Sequence, residues 1–312
     1  MIEGVRRLAQ SSRNKAVVRG IGDDCAVLRL GRGFDLLATT DLCIEKVHFR
    51  REWHPPRSVG HRCLARGLSD IAAMGGEPLA CFLSLGLPPG LPQKWADQFL
   101  RGLEALARRF KVQLAGGDTS SAGNITADIV VLGQVPTGKA LLRSRARPGN
   151  RIFVTGDLGG SAATLHRLYS RARIRPSPSN RHFYPEPRVA AGRWLREHGL
   201  ATALIDLSDG ISVDLAHICQ ESGVAATIDS GRIPIAQGAT LELALHGGED
   251  YELLFTAPPK KKVPARIAGA KVTEIGVIKK AANYTAAIQV LGDNGQLQPL
   301  QPRGWQHFSK SG

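Results

Sequence analysis

The chain has 312 residues and a net charge of +14 at neutral pH, with 43% hydrophobic, 22% charged and 5% aromatic residues. This composition excludes a disordered chain and indicates a globular protein of one large or two medium domains. No uninterrupted apolar stretch approaches the ~18 residues of a membrane span, and the first residues lack the apolar core of a signal peptide. We therefore expect a soluble, cytoplasmic protein with no membrane partner.

The five cysteines and the basic residues bear on the possible partners. The cysteine number is odd and no pair has CxxC spacing, which disfavours a disulfide framework or a zinc site. The basic residues are spread along the chain and are not interleaved with aromatic residues, as they are on a nucleic-acid stacking surface. Such a charge can serve nucleic acid, an anionic membrane or phosphorylated ligands, and the spread of the basic residues disfavours a dedicated nucleic-acid role.

The first part of the chain alternates strand-like and helix-like segments, judged by apolar periodicity and by glycine and proline stop signals. The predicted segments are a strand, a turn and more extended chain at 35–45, a helix at 58–76, a strand at 79–88, an amphipathic helix at 92–110, a strand ending in a turn at 112–118, and a strand at 125–135.

A basic, turn-rich stretch at 138–150 interrupts this alternation, and we place a domain boundary near residue 148. The alternation then resumes. The predicted segments are a strand and a glycine-rich turn before a helix from about Ser161, a proline-rich surface loop at 173–188, a strand running into a turn at 203–210, a helix at 211–223, strands at 251–257 and 272–278, and a hairpin around 293–295. The mixture predicts an α+β or α/β protein with domains at residues 1–148 and 149–312.

Six short segments place acidic residues after small residues and beside an apolar run. They hold nine of the 27 aspartates and glutamates: Asp23, Asp24, Asp41, Asp70, Asp118, Asp206, Asp209, Glu249 and Asp250. One such segment is ordinary turn or helix-cap chemistry. Six of them indicate carboxylates that converge, and converging carboxylates raise one another's pKa unless a cation binds. Hard oxygen ligands suit Mg²⁺ or Ca²⁺, and several Mg²⁺ ions on a nucleotide would explain the pattern.

The common phosphate-binding sequence motifs give little information about this chain. The chain has no G-x-x-x-x-G-K-[ST] motif and none of the protein-kinase loop motifs. The segment GDLGGS at 156–161 precedes a predicted helix, where it could either bind an anion or simply pack a strand against a helix.

The order of the motifs resembles that of the thiamine-monophosphate kinase family, within the AIR-synthase-like ATP-binding superfamily. The matching motifs, spread over residues 20–308, are GIGDDCAVL, TTDLCIEKVHF, LSDIAAMGGEP, AGGDTS, VTGDLGGSAA, IDLSDGISVDLAHI, LHGGEDYELLFT, IGVI and RGWQHF. The resemblance implies a two-domain α+β fold. The N-terminal mixed domain would form a shared β-barrel in a homodimer, and the C-terminal domain would be an α/β sandwich. The implied reaction uses ATP, with several Mg²⁺ ions, to convert thiamine monophosphate to thiamine diphosphate.

The resemblance also implies three groups of site residues. The magnesium positions are Asp24, Thr39, Thr40, Asp41, Asp70, Asp118, Asp206 and Asp209. The ATP positions are Gly117, Asp118, Arg143 and Ser208. The substrate positions are His48, Glu249 and Trp305. No acid–base catalyst is needed, because a phosphate monoester with a second pKa of about 6 is already mostly ionised at neutral pH.

The chain departs from the family pattern at four places. Gly67 replaces the usual Asn before LSD, Lys46 replaces the usual Gly before VHF, SSAG at 120–123 lacks the Arg usual after GGDT, and LGDSAAG has become LGGSAAT. Two alternatives therefore stay open. One is an enzyme of the same superfamily with a different acceptor. The other is a non-catalytic basic binding protein that has kept the fold.

Overall fold

The structure is a computed structural model, and it describes residues 17–19, 23–29, 31, 33–281, 287–292 and 294–304. These ranges contain six α-helices: α1 (Pro56–Ala73), α2 (Gln93–Phe110), α3 (Gly160–Tyr169), α4 (Val189–Glu197), α5 (Ile211–Ser222) and α6 (Leu241–His246). The predicted α+β fold is confirmed.

The first sheet has six strands in the order β1-β2-β3-β6-β4-β5. They are β1 (Val17–Arg19), β2 (Ala26–Leu28), β3 (Phe34–Ile44), β4 (Glu77–Leu87), β5 (Gln113–Ser121) and β6 (Thr126–Pro136). Strands β4 and β5 pair in parallel, and the other neighbours pair antiparallel. Side chains alternate between two faces with a period of two. One face of the sheet packs against α1, whereas the other leaves large apolar side chains exposed.

Helix α1 packs very closely against α2. A Cβ atom added at Gly60 would lie 1.9 Å from the Phe99 carbonyl oxygen, and one at Gly102 would lie 2.0 Å from the Arg57 carbonyl oxygen. Because neither distance leaves room for a methyl group, the two glycines set the spacing of the helices. Helix α1 also contacts α4 and the second sheet, so it joins the two halves of the chain.

The second sheet has the order β14-β13-β9-β12-β7-β10-β8, with β11 paired to β12. Its strands are β7 (Arg151–Thr155), β8 (Ala203–Asp206), β9 (Val224–Asp229), β10 (Leu253–Ala257), β11 (Arg266–Ile267), β12 (Ala270–Lys280), β13 (Ile288–Leu291) and β14 (Leu297–Pro299). Strands β8 and β10 are buried along their whole length. Leu204, Leu253 and Phe255 belong to the same hydrophobic core as α1, so a core runs across both halves of the chain.

Most long segments were predicted well. The strands at 79–88 and 125–135 and the helices at 92–110 and 211–223 are confirmed, and Gly223 ends α5 in the left-handed conformation (φ 65°). The hairpin of β13 and β14 is also confirmed, although Asp293 lies outside the described residues. The boundary near residue 148 stays a prediction.

Other predictions need correction. The turn predicted inside 35–45 is wrong, because β3 is continuous and pairs with β6 along its whole length. The turn at 118 is wrong, because β5 runs on to Ser121. The loop at 173–188 has no regular secondary structure, but His182 and Phe183 within it are buried. Helices α4 and α6 were not predicted.

The helices were also compared with the requirements of a bilayer. Within the described ranges, none is both long enough and apolar enough to serve as a transmembrane segment.

The α1–α2 contact makes a prediction about stability. Gly102→Ala should lower the free energy of unfolding by roughly 1–3 kcal/mol, because overpacking outweighs the ~1 kcal/mol that alanine gains over glycine in a helix. Urea unfolding measures the change. Gly123→Ala is the control, since nothing lies within 4 Å of its added Cβ. A Gly102→Ala protein as stable as the unsubstituted chain would contradict this account of the contact.

Candidate active site

Three carboxylates from distant parts of the chain meet at one point. Asp24 lies in a bend before β2, Asp70 lies in α1, and Asp206 ends β8. Each offers an oxygen atom, and these oxygens all lie within 4.8 Å of one another. Burial raises the pKa of Asp70 and of Asp206 well above the usual value, and the neighbouring carboxylates raise both further. The arrangement is therefore one that a bound cation would stabilise.

Each carboxylate is also held by a neighbouring donor. The Thr39 hydroxyl donates to Asp70. The Ser69 hydroxyl donates to Asp206 over 2.6 Å. The Arg143 guanidinium donates to both oxygens of Asp24, over 2.9 and 3.1 Å. The donors fix the side chains and leave the converging oxygens together, a set of hard ligands that fits Mg²⁺.

A buried ionic network lies beside this cluster. Arg62, which is buried, donates to Glu249 over 2.6 Å. Arg66 lies 3.3 Å from an Asp41 oxygen and 3.7 Å from a Glu249 oxygen. Burial alone would raise the pKa of Glu249, but Arg62 and Arg66 outweigh it and lower the pKa to about 2. Glu249 is therefore ionised at neutral pH.

The backbone around Glu249 is strained. Glu249 and Tyr251 have φ values of 62° and 51°, in the left-handed region that residues other than glycine rarely adopt. Such strain persists only where the surroundings fix it, and it is common at functional sites.

A cavity of about 310 Å³ opens beside the cluster and the network. Its lining includes Asp41, Asp70, Asp206, Ser208, Asp209, His48 and Glu249. The volume is at the lower end of the range for small-molecule sites. Acidic ligands for a metal and side chains for a second ligand therefore share one cavity.

The structure brings together most of the residues expected at the site. Asp24, Asp70 and Asp206 form the cluster, and Thr39 holds Asp70. Arg143 binds Asp24, and its backbone N–H also donates to Asp23 over 3.0 Å.

Some expected residues lie elsewhere in this single chain. Thr40 points to the opposite face of β3, where it donates to Asp128 over 2.7 Å. Gly117 and Asp118 lie on β5 and are exposed. The Asp118 carboxylate accepts the Thr119 N–H over 2.8 Å. Trp305 lies outside the described residues.

Asp250 has a different place from the other carboxylates. It accepts the N–H groups of Gly159 and Ser161, over 2.7 and 3.4 Å, at the start of α3. The segment 156–161, left open as an anion site or a packing turn, is thus occupied by a carboxylate of the chain itself. Burial raises the pKa of Asp250 to about 7.

Sequence reasoning missed several side chains of this region. Arg62 and Arg66 are one helical turn apart in α1, a spacing that places two cations on the same face. Asp214 in the first turn of α5 accepts the N–H groups of Asp209 and Gly210, over 3.1 and 3.0 Å, and so fixes the loop after β8. An acidic residue early in a helix was the available signal.

Comparison with known protein families defines the class of protein to which this chain belongs. The model described as "AIR synthase related protein, N-terminal domain" matches residues 22–135, and the model described as "AIR synthase related protein, C-terminal domain" matches residues 147–289. The chain is therefore an AIR synthase related protein with both domains.

Comparison with individual proteins identifies the family within this class. The chain is 40% identical to thiamine-monophosphate kinase of Salmonella typhimurium over 309 residues, which cover 94% of this chain and 93% of the relative. It is 36% identical to thiamine-monophosphate kinase of Escherichia coli over 93% of this chain and 92% of the relative. The solved structure of AaThiL complexed with AMPPCP and TMP superposes with a TM-score of 0.84 at 30% identity, covering 98% of this chain and 96% of that one. This chain belongs to the thiamine-monophosphate kinase family.

The convergence of carboxylates makes a prediction about stability and metal binding. Asp70→Asn should raise the thermal midpoint in EDTA by roughly 1–3 °C, because it removes one of the mutually repelling charges and keeps an oxygen that can accept from Thr39. The same variant should lose most of the stabilisation that added Mg²⁺ gives the unsubstituted chain.

Thermal unfolding with EDTA and with Mg²⁺ measures both effects. Asp97→Asn is the control, an exposed aspartate on α2 outside the cavity. If Asp70→Asn were stabilised by Mg²⁺ as strongly as the unsubstituted chain, Asp70 would not be a metal ligand.

Proposed function

We propose that this chain uses ATP to phosphorylate thiamine monophosphate, giving thiamine diphosphate and ADP. The observation that carries the proposal is the convergence of Asp24, Asp70 and Asp206, of which Asp70 and Asp206 line a cavity. Membership of the thiamine-monophosphate kinase family supports it. The AaThiL structure, complexed with AMPPCP and TMP, supports an ATP site and a thiamine monophosphate site on the same fold.

The proposed reaction is a direct phosphoryl transfer. A phosphate oxygen of the acceptor forms a bond to the γ-phosphorus of ATP, and the bond from that phosphorus to the β,γ-bridging oxygen breaks as ADP leaves. The acceptor oxygen carries no proton at neutral pH, since the second pKa of a phosphate monoester is about 6. Catalysis therefore rests on positioning and on neutralising charge, without a general base.

We assign the metal positions to the aspartates that line this cavity and to Asp24, which converges with two of them; together we call these side chains the acidic wall. Asp24, Asp41, Asp70, Asp206 and Asp209 would hold Mg²⁺, with Thr39 fixing Asp70. Bound Mg²⁺ supplies positive charge to the phosphate oxygens and helps to align them. Arg143 and Ser208 would face ATP. Of these two, Arg143 is the residue that also holds a metal carboxylate in place.

We assign the acceptor to the side of the cavity with His48 and Glu249. The His48 Nδ1 accepts the Ile44 N–H over 3.0 Å, so the neutral ring carries its proton on Nε2. That nitrogen is then a donor for a phosphate oxygen. Glu249, kept ionised by Arg62 and Arg66, suits a positively charged substrate such as a thiazolium. Trp305 remains part of the proposed substrate site, outside the described residues.

We further propose a homodimer formed through the open face of the first sheet. Phe34 and Leu42 on β3 and Phe82 on β4 are 38–50% exposed on this face, which is unusual for large apolar side chains of one sheet. Thr40 and Asp118 lie on the same sheet, and both are exposed. On this proposal a second copy covers the face, and these polar residues act at the interface. We place the enzyme in the cytoplasm.

The first experiment is ADP release by the purified chain with Mg·ATP, with thiamine monophosphate, free thiamine or no acceptor. Product formation should occur only with the monophosphate, should stop in EDTA, and should give thiamine diphosphate by chromatography. ADP release that does not depend on thiamine monophosphate would point to another acceptor, and no ATP binding at all would favour a non-catalytic protein.

Variants connect the activity to the carboxylates. Asp209→Asn and Asp206→Asn should each lower kcat by about 100-fold or more while leaving the protein folded, because each would remove a charge that binds phosphate-bound metal. Asp97→Asn should leave kcat unchanged. Near-normal turnover in both active-site variants would remove the metal assignment.

The dimer proposal has its own test. Leu42→Glu should convert the dimer to a monomer at about 10 μM protein, because it places a charge in an apolar interface. Light scattering coupled to size-exclusion chromatography measures the mass. Leu297→Glu is the matched control, an exposed leucine in β14 of the second sheet. A monomeric unsubstituted chain, or a Leu42→Glu dimer, would contradict the proposal.

A further inference from the structure

An aromatic pair lines part of the same cavity. The Trp53 and Tyr169 rings meet edge to face, with centroids 4.9 Å apart and an interplanar angle of 79°. The Arg50 guanidinium lies 5.2 Å from the Trp53 centroid and 5.7 Å from the Tyr169 centroid. All three residues line the cavity that also contains the metal carboxylates. We call Trp53 and Tyr169 the aromatic wall.

The aromatic wall is assembled from both halves of the chain. Trp53 lies in the connection between β3 and α1, and Tyr169 is the last residue of α3. Val47 and Leu165 add apolar surface from the same two segments. The cavity thus combines an acidic region, suited to metal and phosphate, with an apolar aromatic region suited to a flat ring.

The connection that carries Trp53 is anchored by a buried chain of polar contacts. His54 Nε2 lies 3.1 Å from His182 Nε2, and His182 Nδ1 lies 3.0 Å from the Ser161 hydroxyl. Burial, and then Arg62, lower the pKa of His54 to about 4 and that of His182 to about 3. Both rings are therefore neutral at neutral pH. They link the loop before α1 to the start of α3 without charge repulsion.

These contacts hold the rings in place before any ligand arrives. Arg50 contacts both rings from one position, and each of these cation–π contacts is favourable. An aromatic surface fixed in advance loses little conformational freedom when a ligand binds. Tyr169 is 60% exposed, so the wall reaches the mouth of the cavity.

We propose that Trp53 and Tyr169 bind the heteroaromatic part of the acceptor and so distinguish it from other phosphate monoesters. The inference rests on the proposed function, because it assigns the ring-binding part of the same site. The acceptor carries a phosphate at one end and two aromatic rings beyond it. With its phosphate at the acidic region, its rings extend toward the apolar region, where aromatic faces and edges offer favourable contacts.

Kinetics on the full-length chain test the proposal. Trp53→Ala and Tyr169→Ala should each raise KM for thiamine monophosphate about five- to tenfold, and should leave KM for ATP and the Mg²⁺ dependence unchanged. A general loss of structure would change all three. Trp53→Phe, which keeps an aromatic face, should recover most of the affinity. Trp194→Ala is the matched control, because this tryptophan stacks on His198 outside the cavity.

Direct binding separates this inference from the reaction itself. Free thiamine should quench the tryptophan fluorescence of the unsubstituted chain, and the quench should shrink in Trp53→Phe but not in Trp194→Phe. If the chain turned over thiamine monophosphate but KM and the quench were unchanged in the Trp53 variants, the aromatic wall would be excluded and the proposed function would stand. If the chain did not turn over thiamine monophosphate, the thiamine quench and its loss in Trp53→Phe would still decide whether the wall binds the ring.

Discussion

Repulsion among Asp24, Asp70 and Asp206 is the interaction around which much of this structure is organised. Carboxylate oxygens within 4.8 Å of one another oppose folding unless donors or a cation balance them. Each carboxylate accepts a hydrogen bond from a neighbouring side chain. The three donors lie on β3, on α1 and in the segment before β7. Because the carboxylates come from both halves of the chain, the site exists only when the two halves pack together. The hydrophobic core that α1 shares with β8 and β10 provides that packing.

The buried positive charges beside the cluster are likewise balanced by groups of opposite charge or by hydrogen-bond acceptors. Arg62 would be very costly to bury alone, but Glu249 and the carbonyl oxygens of His48 and His182 surround it. Arg66 is balanced in the same way, because it forms ion pairs with Asp41 and Glu249. The alternation of acid and base keeps Glu249 charged inside the cavity without leaving an uncompensated anion. The left-handed backbone at Glu249 and Tyr251 is held by this network and by the turn that returns to β8, where the Tyr251 N–H donates to the Leu207 carbonyl.

The sequence predicted the acidic segments better than their surroundings. Asp70 and Asp206 stand at sites where helix and strand patterns are strong, so their place in the fold could be inferred from apolar periodicity. Thr39 and Thr40 could not be separated without knowing that β3 continues through them. Once it does, the period of two sends one hydroxyl to Asp70 and the other to the opposite face.

The partners of the buried cations were beyond the sequence for a similar reason. The contact of Arg62 with Glu249 joins residues 187 positions apart, and no local pattern encodes such a pair. The histidine contact between His54 and His182 joins residues 128 positions apart. Chain topology decides both contacts, because it brings the segment before β10 to Arg62 and the 173–188 segment to His54. Local sequence patterns predicted the types of residue at the site, whereas tertiary packing determines which of these residues contact one another.

Two departures from the family pattern acquire different meanings in the fold. A Cβ atom at Gly67 would lie 2.5 Å from a methyl group of Val131 on β6, and 3.6 Å from the Thr39 methyl group. A larger residue would push α1 away from the sheet, and Asp70, one turn later on α1, would move away from Thr39. Lys46, by contrast, adopts φ 69° where the family usually has glycine, and that conformation costs about 1 kcal/mol or more for a residue with a side chain. Gly67 therefore fits the geometry that places Asp70 beside Thr39, whereas Lys46 holds a left-handed conformation at an energetic cost.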